Sequence, residues 1–356
     1  MLCQAGTVRL FNGETYEAKI DLDNNGISTT RDKGPSTRVD LNNVIEIIFG
    51  KTPSTVSCPP GVLLINGSFI PGTPPDLDEP NAKMGNPPLT FPITSIARMV
   101  FSATPFDKVL QSSNGRTGII LPNGDFFVGT FDGIKDKRFV AVNSPLFGPQ
   151  RFQKTTLSVL VLREVQAPPT RFEVIAKDKR FLVDDLKVDG GGATLRDTVV
   201  GNVKIETKDL VAIRAGSSRW QSVASSKPTM VDAPKGTDAT EAVRVQAAAE
   251  PPASEPPSVF TAAQTGVSYS VPNGLNFFSC RVEAPKETPP GIRIAFAVYG
   301  DGRLLSRSPF LAAGDVPQSL RVSLGTARIL TLRVEPAKPG PATVFGKWVD
   351  PLLLHP

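Results

Sequence analysis

The chain of 356 residues holds a single histidine, His355, next to its last residue. Histidine is the usual proton carrier beside a serine or cysteine nucleophile and the commonest neutral metal ligand. One histidine at the chain's end leaves no Ser-His-Asp or Cys-His constellation and no histidine-based metal site to build. The three cysteines, Cys3, Cys58 and Cys280, show no metal-ligand spacing, and an odd count cannot pair completely within one chain. They read as buried thiols or as one Cys58–Cys280 bridge. Phe49-Gly50-Lys51-Thr52 ends like a phosphate-binding loop, but Ile45 stands where that motif needs glycine, and a strand fits the run better. Gly190-Gly191-Gly192 lacks the strand-to-helix setting of a dinucleotide loop and reads as a turn. Glycoside hydrolysis needs only two carboxylates at the correct separation. The acidic clusters here, Asp184-Asp185 and Asp76/Asp78/Glu79, lie in polar, turn-like segments. The reading is a protein without catalytic residues and without a cofactor.

The chemistry left is recognition, which asks for aromatic faces and placed hydrogen-bonding groups. The resemblance set out below implies Trp348 for stacking and Arg303 and Asp350 for hydrogen bonds, with Tyr299 and Asp301 beside them. Trp348 and Tyr299 each compete with a place in a core. Asp301 and Asp350 are also candidates for a calcium ion at a sheet edge, against turn and capping roles.

The elements that position these residues are strands, and the fold class is all-β. Four times in residues 6–215 an apolar strand, a tight polar turn and a second strand recur, roughly one unit per 55 residues. The turns are Asn12-Gly13, Asn66-Gly67, Asn123-Gly124 and Lys177-Asp178. Asn-Gly accepts positive φ, so it favours the two-residue hairpin. Each unit closes on apolar residues spaced i, i+5, i+8: Val39/Val44/Ile47, Phe91/Ile96/Met99, Phe152/Leu157/Leu160 and Ile205/Leu210/Ile213. The polar pair inside the first of these, Asn42-Asn43, predicts a single 3₁₀ turn before the last strand. Five short strands per unit can close into a small barrel, which removes exposed edges. The boundaries are 6–51, 61–103, 116–164 and 171–215 for the barrels, and neighbouring barrels are expected to pack together.

Residues 216–257 turn to Ser, Ala, Pro, Glu and Lys and read as a linker. Asp238 and Glu241 have capping-box spacing for one short helix inside it, and Trp220 is an anchor against a barrel. From Ser258 to Leu354 seven strand candidates return: 267–271, 275–282, 292–299, 304–308, 319–324, 329–334 and 343–349. Ile292, Ile294, Phe296 and Val298 alternate with Arg293, Ala295 and Ala297, a strand with one buried face. Such spacing predicts a jelly-roll-type β-sandwich.

Two resemblances follow. Val8-Arg9-Leu10-Phe11-Asn12-Gly13-Glu14-Thr15-Tyr16 resembles the opening hairpin of an Sm-like or SH3-like small barrel. Sm-like proteins bind RNA, but Asp23-Asn24-Asn25-Gly26 matches their reading segment only in part and the late arginine-glycine motif is absent. Phe296-Ala297-Val298-Tyr299-Gly300-Asp301-Gly302-Arg303, with Leu305 and Ser308, is similar to the central hairpin of the NPCBM family. The run 317–334 and Lys347-Trp348-Val349-Asp350-Pro351 follow that pattern over residues 258–354. The resemblance implies a carbohydrate-binding β-sandwich of the kind attached to bacterial glycoside hydrolases and envelope proteins. The chain departs from it at Phe260-Thr261-Ala262-Ala263, where the family has a glycine-valine-histidine stretch.

Charge adds little. Residues 1–216 carry 25 Lys/Arg against 23 Asp/Glu with the signs interspersed, not the basic stripe of a nucleic-acid binder. No apolar run approaches the ~20 residues of a membrane span. Cys3-x-Ala5 has the small-x-small form of a signal-peptidase site and reads either as the remnant of a secretory signal or as a short cytosolic leader. The NPCBM resemblance tips the reading to an extracellular, periplasmic or envelope protein, with a cytoplasmic one as the alternative. The expected function is non-catalytic recognition of a glycan by the sandwich, with the barrels as spacer and interaction surface. The expected partner is a glycan or an envelope protein, not nucleic acid. The alternatives are a protein-interaction scaffold without sugar binding, which requires Trp348 to be buried, and Sm-like RNA binding by the barrels.

Overall fold

The computed structural model describes residues 4–11, 14–23, 26–31, 34–50, 57–110, 113–236, 238–246, 257–338 and 344–355. Met1 to Cys3, Asn12-Gly13, Asn24-Asn25, Lys51-Thr52 and the 247–256 stretch lie outside them. The protein's regular elements are nearly all β-strands, and its contacts group into two units. One takes residues up to Val8, Tyr16–Asp40 and Glu46–Gly216; the other takes Arg9–Thr15, Leu41–Ile45 and Ser217–Pro356.

The four repeats share one plan: five or six strands with a 3₁₀ turn before the closing strand. Those turns are Leu41–Asn43, Ile93–Ser95, Lys154–Thr156 and Thr207–Asp209. In each the polar residues make one turn, then the chain re-enters an apolar strand. The Asn-Gly reversals differ from expectation. At Asn66-Gly67 and Asn123-Gly124 the loop has three residues, closed by Leu64 N–H to Ser68 O and Leu121 N–H to Asp125 O, both 2.9 Å or less. The glycine sits left-handed at φ +85° and +91°, the three-residue alternative open to this dipeptide. The two-residue loop belongs instead to Lys177-Asp178, where Ala176 faces Lys179.

The repeats merge into one 14-stranded sheet in the order three, two, four, one. Closing strands join them: Met99 faces Leu160 between repeats two and three, and Ile213 faces Ile47 between four and one. These are the last members of the four recurrent apolar triplets. Repeats two and four join through their second strands, where Phe69 faces Arg180. Repeats two and three share one core, including Val62, Leu64, Met99, Ile119 and Leu160.

The second unit is a sandwich of antiparallel sheets. One sheet runs Val243–Gln246, Ser258–Ala262, Phe345–Leu354, Phe277–Glu283, Gln318–Ser323, with Trp220–Ser222 also on Phe345–Leu354. The other runs Met230–Asp232, Gly266–Ser270, Ile329–Pro336, Ile294–Gly300, Arg303–Arg307. All seven strand candidates of this region are present, with shifted ends. Residues 217–246, expected as linker, instead supply strands to both sheets. Trp220 faces Leu354 of the sandwich and Val231 faces Val267. The short helix Ala239–Ala242 forms as expected, its Asp238 Oδ1 accepting Thr240 N–H at 2.8 Å.

Candidate functional site

The five candidate residues divide between the two sheets. Trp348 and Asp350 lie on Phe345–Leu354; Tyr299, Asp301 and Arg303 lie on the hairpin from Ile294–Gly300 to Arg303–Arg307. They do not form one cluster.

Trp348 is fully buried. It meets Phe278 of its own sheet and Phe296 of the facing sheet edge-to-face, at centroid distances of 6.4 and 5.0 Å. It joins the two inner faces, and a ring with no exposed face cannot stack on a ligand. The expected tryptophan platform is therefore corrected: Trp348 is core. Asp301 closes a turn. Its carboxylate accepts the N–H groups of Arg328 and Ile329 at 3.0 and 2.9 Å, and its backbone is left-handed at φ +47°. The carboxylate thus caps the turn. Arg303 follows on the exposed turn.

Tyr299 has the other orientation. Ile294, Phe296 and Val298 enter the core, so Ala295, Ala297 and Tyr299 point to the opposite face of the sheet, where both alanines are covered and Tyr299 is partly buried. Its hydroxyl donates to Glu335 Oε1 at 3.0 Å. In the sheet Tyr299 faces Thr331, while Glu335 faces Ala295, four residues away. That offset is roughly 13 Å along the strand. A side chain laid lengthwise on the sheet, past the small Ala297 position, spans it. Arg307 holds Glu335 from the far side at 2.8 Å, and Arg333 and Thr331 lie on the same strand face as Glu335. Burial first, then the hydrogen bond to Glu335 and its charge, raise the Tyr299 phenol above its usual range against Arg333 and Arg307. The hydroxyl therefore stays a donor at neutral pH. Sequence reasoning missed Arg307, Arg333 and Glu335. The signal was present in the alternation of Leu330, Leu332 and Val334 with Thr331, Arg333 and Glu335.

Asp350 sits at a bulge, where Ser279 faces Leu352 but Arg281 faces Val349, with φ +51°. It pairs with Arg9, a member of the same unit. Beside it a cleft of about 380 Å³ is lined by Ser279, Arg281, Ser319 and Arg321. In the strand pair Ser279 faces Arg321 and Arg281 faces Ser319, so hydroxyls and guanidinium groups alternate across it. Among the described residues no group of three His, Cys, Asp or Glu side chains could hold a metal ion.

Several solved structures are similar to the chain. One is CBM51 from Clostridium perfringens GH95 in complex with methyl-galactose, at 16% identity, covering 38% of this chain and 99% of that one with TM-score 0.31. Another holds CBM51-2 in complex with GlcNAc and INT domains from Clostridium perfringens ZmpB, at 11% identity and TM-score 0.33; the match covers 62% of this chain and 45% of that one. The tandem CBM51 modules of Sp3GH98 from Streptococcus pneumoniae SP3-BS71 match at 9% identity, 98% of this chain, 88% of that one and TM-score 0.33. The curated proteins contain no match. Residues 259–354, which include Tyr299, Asp301, Arg303, Trp348 and Asp350, match the family model of the NPCBM/NEW2 domain.

Proposed function

We propose that the sandwich is a carbohydrate-binding module of a protein acting outside the cytoplasm, and that its glycan lies on the Tyr299 face. The observation that carries this reading is Tyr299, partly exposed on the sheet face away from the core with its hydroxyl on Glu335. A sugar ring presents C–H groups to an aromatic face and hydroxyls at its rim. Tyr299 offers the face, while Glu335, Arg307 and Arg333 offer acceptors and donors around it. The tether fixes the ring before the ligand arrives, so less rotamer entropy is lost on binding. The repeats then act as spacer and interaction surface.

Purified full-length protein titrated against a glycan and polysaccharide array tests this. Tyr299→Ala is expected to weaken binding about tenfold or more, a loss of roughly 1.4 kcal/mol. Tyr299→Phe, which keeps the ring and removes the tether, is expected to lose less. Binding that survives Tyr299→Ala but fails in Arg321→Ala moves the site to the cleft beside Asp350. The burial of Trp348 favours a second reading, a protein-interaction scaffold without sugar binding, because it removes the tryptophan platform. An array on which the native chain binds nothing selects that reading.

A further inference from the structure

The repeats meet through two kinds of two-fold contact. In one, closing strands pair at equivalent positions, Met99 with Leu160 and Ile47 with Ile213. The other joins repeats two and four, and it too is symmetric. Leu63 faces Phe69 in the opening hairpin of repeat two, and Ile175 faces Arg180 in that of repeat four. Phe69 and Arg180 are thus the same position of the repeat, and they face each other across the contact.

The loops around that contact are exchanged reciprocally. The turn Thr198-Val199-Val200 of repeat four reaches the Asn66-Gly67 turn of repeat two. There Asn66 Nδ2 donates to both carboxylate oxygens of Asp197 at 3.0 Å, and Val199 and Val200 pack on the core of repeats two and three. Conversely, Lys179 beside the hairpin turn of repeat four donates to Asn86 O in the corresponding turn of repeat two, at 2.6 Å.

Repeat three presents the same three parts without a partner among the described residues. Its second strand, Phe126–Val128, ends the 14-stranded sheet. Ile120 faces Phe126 in its hairpin, so Phe126 is the equivalent of Phe69 and Arg180. Its Asn123-Gly124 turn is exposed. Ser144 faces Gly148 as Asp197 faces Gly201, which makes Leu146 and Phe147 the equivalents of Val199 and Val200. These two residues are 84% and 64% exposed. Phe147 is held in place by stacking on Phe127 at 5.7 Å.

We propose that this face of repeat three binds the same face of a second copy of the chain, with Phe126 on the two-fold axis. Second-strand edges then pair antiparallel, and Leu146-Phe147 of each copy packs at the Asn123-Gly124 turn of the other, as Val199-Val200 does at Asn66-Gly67. The sheet's other end is the polar strand Ser36–Val39, and residues Arg9–Thr15 of repeat one's opening hairpin group with the second unit. One isologous face per chain gives a closed dimer and not a fibre.

Sedimentation velocity of the full chain over a concentration series is expected to show twice the chain mass. The double variant Leu146→Asp/Phe147→Asp is expected to raise the dimer dissociation constant roughly a hundredfold. Both side chains are largely exposed in the single chain, so its circular dichroism should report an unchanged fold. In a Cys3→Ser background, Phe126→Cys should form a covalent dimer on oxidation, because facing Cα atoms of an antiparallel pair lie ~4.5–5.5 Å apart. A monomer at every concentration, or a dimer untouched by the double variant, overturns the proposal. A Phe126→Cys chain that dimerises without cross-linking overturns the placement of the axis.

Discussion

Single residues in this protein do different work from what their types announce. Trp348, a tryptophan of the sandwich, is core; Tyr299, one position beyond a buried alternation, is partly exposed. The sequence carried the second fact. Continuing Phe296, Ala297, Val298 by one step places position 299 outward, and the ring belongs there. It did not carry the first, because the bulge at Asp350 disturbs the alternation just after position 348. Trp348→Ala removes a ring packed against both sheets, and an expected loss of about 3–5 kcal/mol in denaturant unfolding makes it unusable as a binding control. Burial also pushes the Tyr269 phenol and the Cys58 thiol each up to about 12, and raises Cys280. These groups hold their protons more tightly in the folded chain than in the unfolded one. Stability is therefore unaffected by Tyr269 below about pH 10 and falls as pH rises from there towards 12. Thermal melts at pH 10 to 12 should show this fall shrinking in Tyr269→Phe. The free thiols Cys58 and Cys280 should resist thiol reagents at pH 8 in a Cys3→Ser background and react on denaturation; labelling of the folded chain would contradict their burial.

Among elements, what could be read was whatever depends on local spacing. The polar pair Asn42-Asn43 followed by an apolar run marked the 3₁₀ turn and closing strand of the first repeat, and the other three repeats carry the same turn. The last apolar residue of each triplet then meets its own counterpart, as with Met99 and Leu160. What could not be read was register between distant strands. Phe69 and Arg180 face each other across 111 positions of chain, and nothing local to either marks the other. The strands Trp220–Ser222, Met230–Asp232 and Val243–Gln246 were hidden for a related reason. They are short, polar on one side, and stabilised by sheets already formed elsewhere. The joint between repeats two and four has one residue on which several groups converge. Asp197 is buried and accepts Asn66 Nδ2, Ser68 Oγ at 2.5 Å, and the N–H groups of Val199 and Val200 at 2.7 and 3.0 Å. Asp197→Ala strands those donors away from water, and the expected cost is ~3 kcal/mol. Urea unfolding would report it, and a change below 1 kcal/mol would mean that the joint opens to water without it.

At the scale of the whole molecule, one buried cluster gathers Trp348, Phe278, Phe296 and their neighbours in the sandwich, and others gather residues of repeats two and three. Cooperativity follows contiguous burial, so each unit should melt as its own transition. The two substitutions argued above then become a test of this division. In differential scanning calorimetry of the full chain, Trp348→Ala should lower one transition and leave the other in place. Asp197→Ala should do the reverse, because all its partners belong to the repeats. Two shifted transitions from either variant would mean that the repeats and the sandwich fold as one body. In that case a glycan bound at Tyr299 would also stabilise the repeats by mass action. With independent units, saturating glycan should raise only the transition that Trp348→Ala lowers, which ties the binding face to its own core.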